Sequence, residues 1–219
     1  MVVCGYIVDK YGTDNQCDST DRFINNKLKF HKGDNKGELE AVFASGIMHM
    51  NWNKIFNLDI IRKYNIRYKP YSVNEDFIFV LNYLLHCKSI TFIDDCLYHW
   101  IRRKGVVSGV ESMPDNIIAI YEESHELLAD FLQDVIMADR IMHRTYEMVI
   151  YKYFYAYRNG IIGEDTCFSQ LKKMHASKLV SRTFKVENAT TIFTKLICIL
   201  HSVGWFKLSF WIHKSFIWR

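Results

Sequence analysis

The chain has 219 residues, 49% hydrophobic and 24% charged, a balance that suits a buried core and excludes wholesale disorder. Its formal net charge of +4 is small, its basic residues are mostly interleaved with acidic ones, and it carries no nucleic-acid-binding motif, so nucleic acid is set aside as a partner. The six cysteines form no C-x-x-C pair, and "MVVCGYIVDK" meets Asp9 too early for a secretory segment, which reads as a cytoplasmic protein with reduced thiols.

In chain order, "VVCGYIV" is β-rich and predicts a strand. Residues 9 to 36 are polar, with Gly12 and Gly33 as punctuation, and predict loops or an edge hairpin. Leu39, Val42, Phe43, Ile47 and Met50 recur at helical spacing and predict a helix over residues 37–50. "NLDIIRKYNIRY" predicts a short helix followed by an extended piece ending at Pro70. Asn74 is a natural N-cap, and Phe77, Val80, Leu81, Leu84 and Leu85 share one face, so residues 75–87 are expected to be helical. "SITFID" and "CLYHWIRR" read as two strands joined by a turn at Asp94 and Asp95.

Beyond Ser108 the pattern becomes helical. Ser112, Pro114 and Asp115 mark a helix start, with an apolar stripe of Ile117, Tyr121, Leu128, Phe131 and Val135. A second helix carries Ile141, Tyr146, Val149, Tyr153 and Tyr157 and stops near Gly160, and a weaker third covers 164–179. The expected fold class is therefore α/β, with a mixed part over 1–110 and a helical part over 111–219. Residues 188–219 contain no acid, while Lys195, Lys207, Lys214 and Arg219 sit among Trp205, Trp211, Trp218 and four phenylalanines. A basic, aromatic segment of this kind over 190–219 suits the surface of an anionic membrane; the same pattern also suits a helix packed on the body with its lysine stems lying along it.

Candidate chemistry centres on "NEDF". Glu75 and Asp76 at a helix start offset the helix dipole, which is the commoner use of such a pair, and the same placement lets a carboxylate take a proton from a substrate hydroxyl. Trp52 suits a sugar-facing wall or a core position. Arg102 and Arg103 suit phosphate or a solvated basic edge, and His99 suits a metal or, more commonly, a structural role.

Together, "WNKIF" at 52–56 and "NIRYKPYSVNEDFIFVLNYLLHCKSITFIDDCLYHWIRRKGVVS" at 65–108 resemble family 2 glycosyltransferases of the bacterial capsular and surface polysaccharide type. The likeness rests on Trp52, Lys54, Phe56, Ile66, Tyr68, Glu75, Asp76, Phe79, Ile93, Asp94, Leu97, Tyr98, Trp100, Arg102 or Arg103, and Ser108, in order and spacing over about a quarter of the chain. It implies a GT-A (Rossmann-like) fold, a nucleotide-sugar donor, a glycan or lipid-linked acceptor, and transfer with inversion. Asp76 would be the general base, Glu75 and Trp52 would lie beside the acceptor, and Arg102, Arg103 and Ser108 would engage donor phosphates or order a closing loop. The family places a nucleotide-binding half, with a D-x-D motif holding Mn or Mg, upstream of this region. These 219 residues contain neither that half nor that motif. The expectation is a truncated enzyme, weakly active or inactive alone, prone to self-association, and resting on the inner face of a bacterial membrane. The alternative is a non-catalytic, membrane-associated interaction module derived from such an enzyme.

Overall fold

A computed structural model describes residues 1–14, 16–23, 29–31, 36–103, 116–189 and 192–216. The chain divides into two compact units, one of Met1–Pro114 with Glu126–Gln133, the other of Asp115–His125 with Asp134–Arg219.

The first unit is built on a mixed sheet. Strand β1 (Val2–Tyr11) forms a hairpin with β2 (Cys17–Phe23) and pairs in parallel with the long strand β5 (Ser89–Arg103). Strand β3 (Lys29–His31) adds antiparallel to β5, and β4 (Lys54–Ile55) adds antiparallel to the start of β1. The path is β2-β1-β5-β3. The parallel pair arises because the chain leaves β1, makes α1 (Lys36–Ala44), α2 (Leu58–Lys63) and α3 (Glu75–His86), and returns in the same direction. Helix α3 is the core of this unit: Phe77, Ile78, Val80, Leu81, Tyr83 and Leu84 are all buried, with Val3, Phe43, Met48 and Phe92 among the unit's other core residues.

Three expectations are corrected here. Residues 89–103 form one strand, with no chain reversal at Asp94 and Asp95. The extra residues are absorbed in a bulge, since Val3 pairs with Phe92, Gly5 with Cys96 and Tyr6 with Tyr98. A Cβ on Gly5 would sit 2.7 Å from the carbonyl oxygen of Phe23 and 3.0 Å from Cys96 Sγ, so the bulge needs a residue without a side chain at that point. The helix expected over 37–50 ends at Ala44, because residues 45–48 turn back around Gly46, whose φ is +80°. Asn74 occupies the N-cap position of α3 in the left-handed region, φ 62°, with no side-chain capping bond. Asn tolerates that conformation better than most residues.

The second unit is helical. Helix α4 (Ile117–Leu132) contributes its first half here. It does not carry the stripe on to Val135, since Gln133 takes φ 52° and Asp134 starts a new helix by accepting a hydrogen bond from the Met137 amide at 3.0 Å. That helix, α5 (Val135–Arg158), ends at Asn159 with Gly160 at φ 70°, as the Gly160 signal implies. The helix expected over 164–179 is two, α6 (Glu164–Ala176) and α7 (Lys178–Thr183), divided by Ser177, whose hydroxyl caps α7. The tail is likewise two helices, α8 (Ile192–Ser202) and α9 (Phe206–Phe216), broken at Gly204. The helix start expected at Ser112, Pro114 and Asp115 lies outside the described residues.

Asp139 is the polar hub of this unit. It accepts from Arg182 Nη2 at 2.9 Å and from Thr183 Oγ1 at 3.4 Å, and it faces His125 Nε2 at 2.7 Å. His125 is buried, so its contact with the Asp139 carboxylate is what makes that position tolerable.

Candidate active site

The first turn of α3 is pinned from both sides, by Val73 before it and Phe77 within it, both buried. This fixes Glu75 and Asp76 at the mouth of the helix, half-exposed over a buried floor. The carboxyl of Asp76 is held above the usual carboxylate range, first by burial and then by the adjacent Glu75. Opposing that rise are the Lys54 ammonium and the backbone amide of Asn51, which donates a hydrogen bond to Asp76. A carboxylate whose affinity for a proton is raised this way is a stronger base than an exposed aspartate.

Lys54 is the partner that sequence inspection undervalued. Its ammonium donates to the carbonyl oxygens of Ile47 at 2.7 Å and Met50, and to Asn53 Oδ1 at 2.8 Å. Burial pulls its pKa down to about 7 against the stabilising fields of Asp76 and Cys4. Lys54 thus closes the turn over residues 47–53, and that turn presents Asn51. The Asn51 side-chain amide in turn donates to the hydroxyl of Tyr68. Tyr68 lies flat on Phe79, ring centroids 4.3 Å apart, and Phe56 meets both Phe79 and Tyr83 edge-on. On the same turn His49 stacks on Phe77 at 4.2 Å, and its pKa falls to about 4 through burial, so it stays neutral.

Trp52 follows Asn51 directly. It stacks on Tyr98 at 4.3 Å, meets Tyr6 edge-on at 5.0 Å and lies 6.1 Å from Trp100. Alternation along β5 puts Tyr98, Trp100 and Arg102 on this face, and the Arg102 guanidinium sits over the Trp100 ring at 5.2 Å. Arg103 falls on the opposite face, over Tyr11 at 5.9 Å. His99 shares that opposite face, its Nδ1 2.7 Å from Asp9 Oδ2, while Thr20 donates to the other Asp9 oxygen at 3.1 Å. That pairing holds the Asp9 carboxyl below the usual range, and it gives His99 a structural partner.

The residues singled out by sequence therefore separate. Asp76, Glu75 and Trp52 gather around the 47–53 turn, Arg102 joins Trp52 across Trp100, and Arg103 turns away. Ser108 lies outside the described residues. Asn51, Lys54 and Tyr68 complete the site. Lys54, set in "WNKIF" between Trp52 and the Ile55–Phe56 pair, was a visible sign of a buried cation. Among the described residues no group of three or more His, Cys, Asp or Glu side chains converges to hold a metal ion.

No protein-family model matches the chain. Compared with curated proteins, it also finds no match.

Proposed function

We propose that the first unit is the acceptor side of an inverting, nucleotide-sugar-dependent glycosyltransferase of GT-A (Rossmann-like) type, with Asp76 as general base. The supporting observation is the Asp76 setting: a carboxyl of raised proton affinity, oriented by the Asn51 amide, beside an aromatic wall begun by Trp52. In this reading Asp76 takes the proton of an acceptor hydroxyl as its oxygen attacks the anomeric carbon, and the bond to the nucleoside diphosphate breaks. Glu75 lies beside the acceptor and raises the basicity of Asp76 by like-charge repulsion. The resemblance of "WNKIF" and the "NEDF" region to family 2 glycosyltransferases supplies the reaction class. The test is nucleoside diphosphate release from a panel of nucleotide sugars with Mn or Mg, in the presence and absence of glycan acceptors. Acceptor-dependent release supports the reading, and no release across the panel removes it.

A second reading concerns the tail. Ile192, Leu196 and Ile199 are exposed along one face of α8, Val203 just past its end continues the spacing, and Trp205, Leu208 and Trp211 are also exposed. With Lys195 and Lys207 exposed among them and no acid in the sequence from 188 to 219, these helices suit peripheral attachment to the anionic inner face of a membrane. No helix among the described residues is long and apolar enough to cross one. This attachment would serve either an enzyme acting on lipid-linked acceptors or a non-catalytic interaction module.

A further inference from the structure

The outer half of the β1–β5 pair has two chemically unlike faces. One carries the Asp9, His99 and Thr20 network. The other is aromatic: Tyr6 stacks on Phe23 at 4.8 Å, Trp52 stacks on Tyr98, and Trp100 continues the row along β5. Phe23 at 42%, Tyr98 at 37% and Trp100 at 37% retain large exposed areas, so this is a half-open surface rather than a core.

Its polar end is equally specific. Arg102 stands over Trp100, and among the described residues no acid pairs with it. Its cross-strand neighbour on the same face is Lys10, whose ammonium is already engaged by Asp21 at 2.6 Å. The Arg102 guanidinium thus closes a row of aromatic rings that starts one residue from the Asn51 amide bound to Asp76. Aromatic faces pack against the C–H faces of pyranose rings, and a guanidinium gives two parallel hydrogen bonds to a carboxylate or phosphate.

We infer that this face binds an acidic glycan of two or more sugar units, with a ring stacked on the Trp52, Tyr98 and Trp100 row and an anionic substituent, uronate or phosphate ester, held by Arg102. The inference rests on the glycosyl-transfer reading only in calling that glycan the acceptor; binding itself does not depend on catalysis. It also moves Arg102 from the donor phosphates to the acceptor.

The experiment is an NMR titration of the whole chain, following the indole N–H signals of Trp52 and Trp100. Four probes are used: an oligogalacturonate, a phosphorylated oligosaccharide, a neutral oligosaccharide of equal length, and inorganic phosphate. Acidic oligosaccharides are expected to bind about 10-fold tighter than the neutral one, with both indole signals shifting. Whichever acidic probe binds tighter identifies the substituent. Arg102→Gln is expected to abolish that preference while leaving neutral binding unchanged, and Trp100→Ala to weaken all oligosaccharides by about 3- to 10-fold. Equal binding of acidic and neutral oligosaccharides, binding of inorganic phosphate alone, or an Arg102→Gln variant with its preference intact would each overturn the inference. Transfer that depends on Asp76 yet ignores Arg102 would sink the acidic acceptor and spare the enzyme. Acidic-glycan binding with no transfer by any nucleotide sugar would do the reverse.

Discussion

Asn51 donates its backbone N–H to the carboxylate of Asp76 and its side-chain amide to the hydroxyl of Tyr68, so a single residue orients both polar groups at the mouth of α3. The two groups are consequently linked. The Asp76 charge holds the Tyr68 hydroxyl above its ordinary range, after burial, and neither can move without disturbing the 47–53 turn.

Asp76→Asn should abolish transfer, by at least about a hundredfold, while keeping the fold. It should also raise the melting temperature at neutral pH. The folded state raises the Asp76 pKa above its unfolded value, so stability is lost as pH rises from the unfolded value of about 3.8 through the folded one. An amide carries no such penalty. Calorimetric melting at pH 7, where the variant melts at or below the parent, would contradict this account of the site.

Lys54 gives up its proton at lower pH than an ordinary surface lysine. Its folded pKa of about 7 lies well below the ordinary lysine value of 10.5, so the folded state sheds the proton first and stability should rise with pH from about 7 upward on its account. Lys54→Met should flatten that rise between pH 7 and 8.5, below the range where the buried thiols of Cys167 and Cys198 begin to count. Removing the ammonium from the Met50 carbonyl and Asn53 Oδ1, and leaving the Ile47 carbonyl only the Asn53 amide at 3.4 Å, should cost about 1–3 kcal/mol, measured by urea unfolding. A variant with the parent's pH slope would remove Lys54 from the electrostatics of Asp76.

In the helical unit, Asp139→Ala leaves Arg182 and the buried His125 without their shared carboxylate. Urea unfolding should show a loss of about 3 kcal/mol, with Asp139→Asn intermediate because it can still accept from Arg182 and Thr183. A loss within a few tenths of that of a surface substitution would mean the hub is decorative.

The tail reading is tested by co-sedimentation with vesicles containing phosphatidylglycerol. Replacing Lys195 and Lys207 by Gln should weaken binding about 10- to 30-fold, and replacing Trp205 and Trp211 by Ser should weaken it further. Equal binding to neutral and anionic vesicles would remove the electrostatic part.

Elements whose signal is local were legible in the sequence. Helix α3 combines two leading acids with a 3.6-residue apolar period, and β1 opens on "VVCGYIV", rich in β-branched and aromatic residues, so each carries its own instructions. Strand β5 is not legible locally as one strand, because Asp94 and Asp95 have turn chemistry. What makes them a bulge is Gly5 on another strand, a fact no local window contains. The α4–α5 break at Gln133 has no Gly or Pro to announce it. Within the site, Asp76 and Trp52 could be picked out by residue type. The Asn51 contribution to Asp76 is a backbone amide, which residue type does not encode, and the Trp52–Tyr98 stack depends on β5 lying beside β1, a long-range pairing.

That parallel pairing sets a schedule for synthesis. Asp9 meets His99 90 positions later in the chain. At about 5–20 residues per second, β1 waits roughly 5 to 20 s for its parallel partner. Until β5 emerges, the β1–β2 hairpin stands alone with one β1 edge open, a form marginal in water and open to pairing with other chains. The aromatic row and the carboxylate of Asp76 come together only when the ribosome is past Arg102, so yield in a cell should respond to translation rate and to chaperones that shield strand edges.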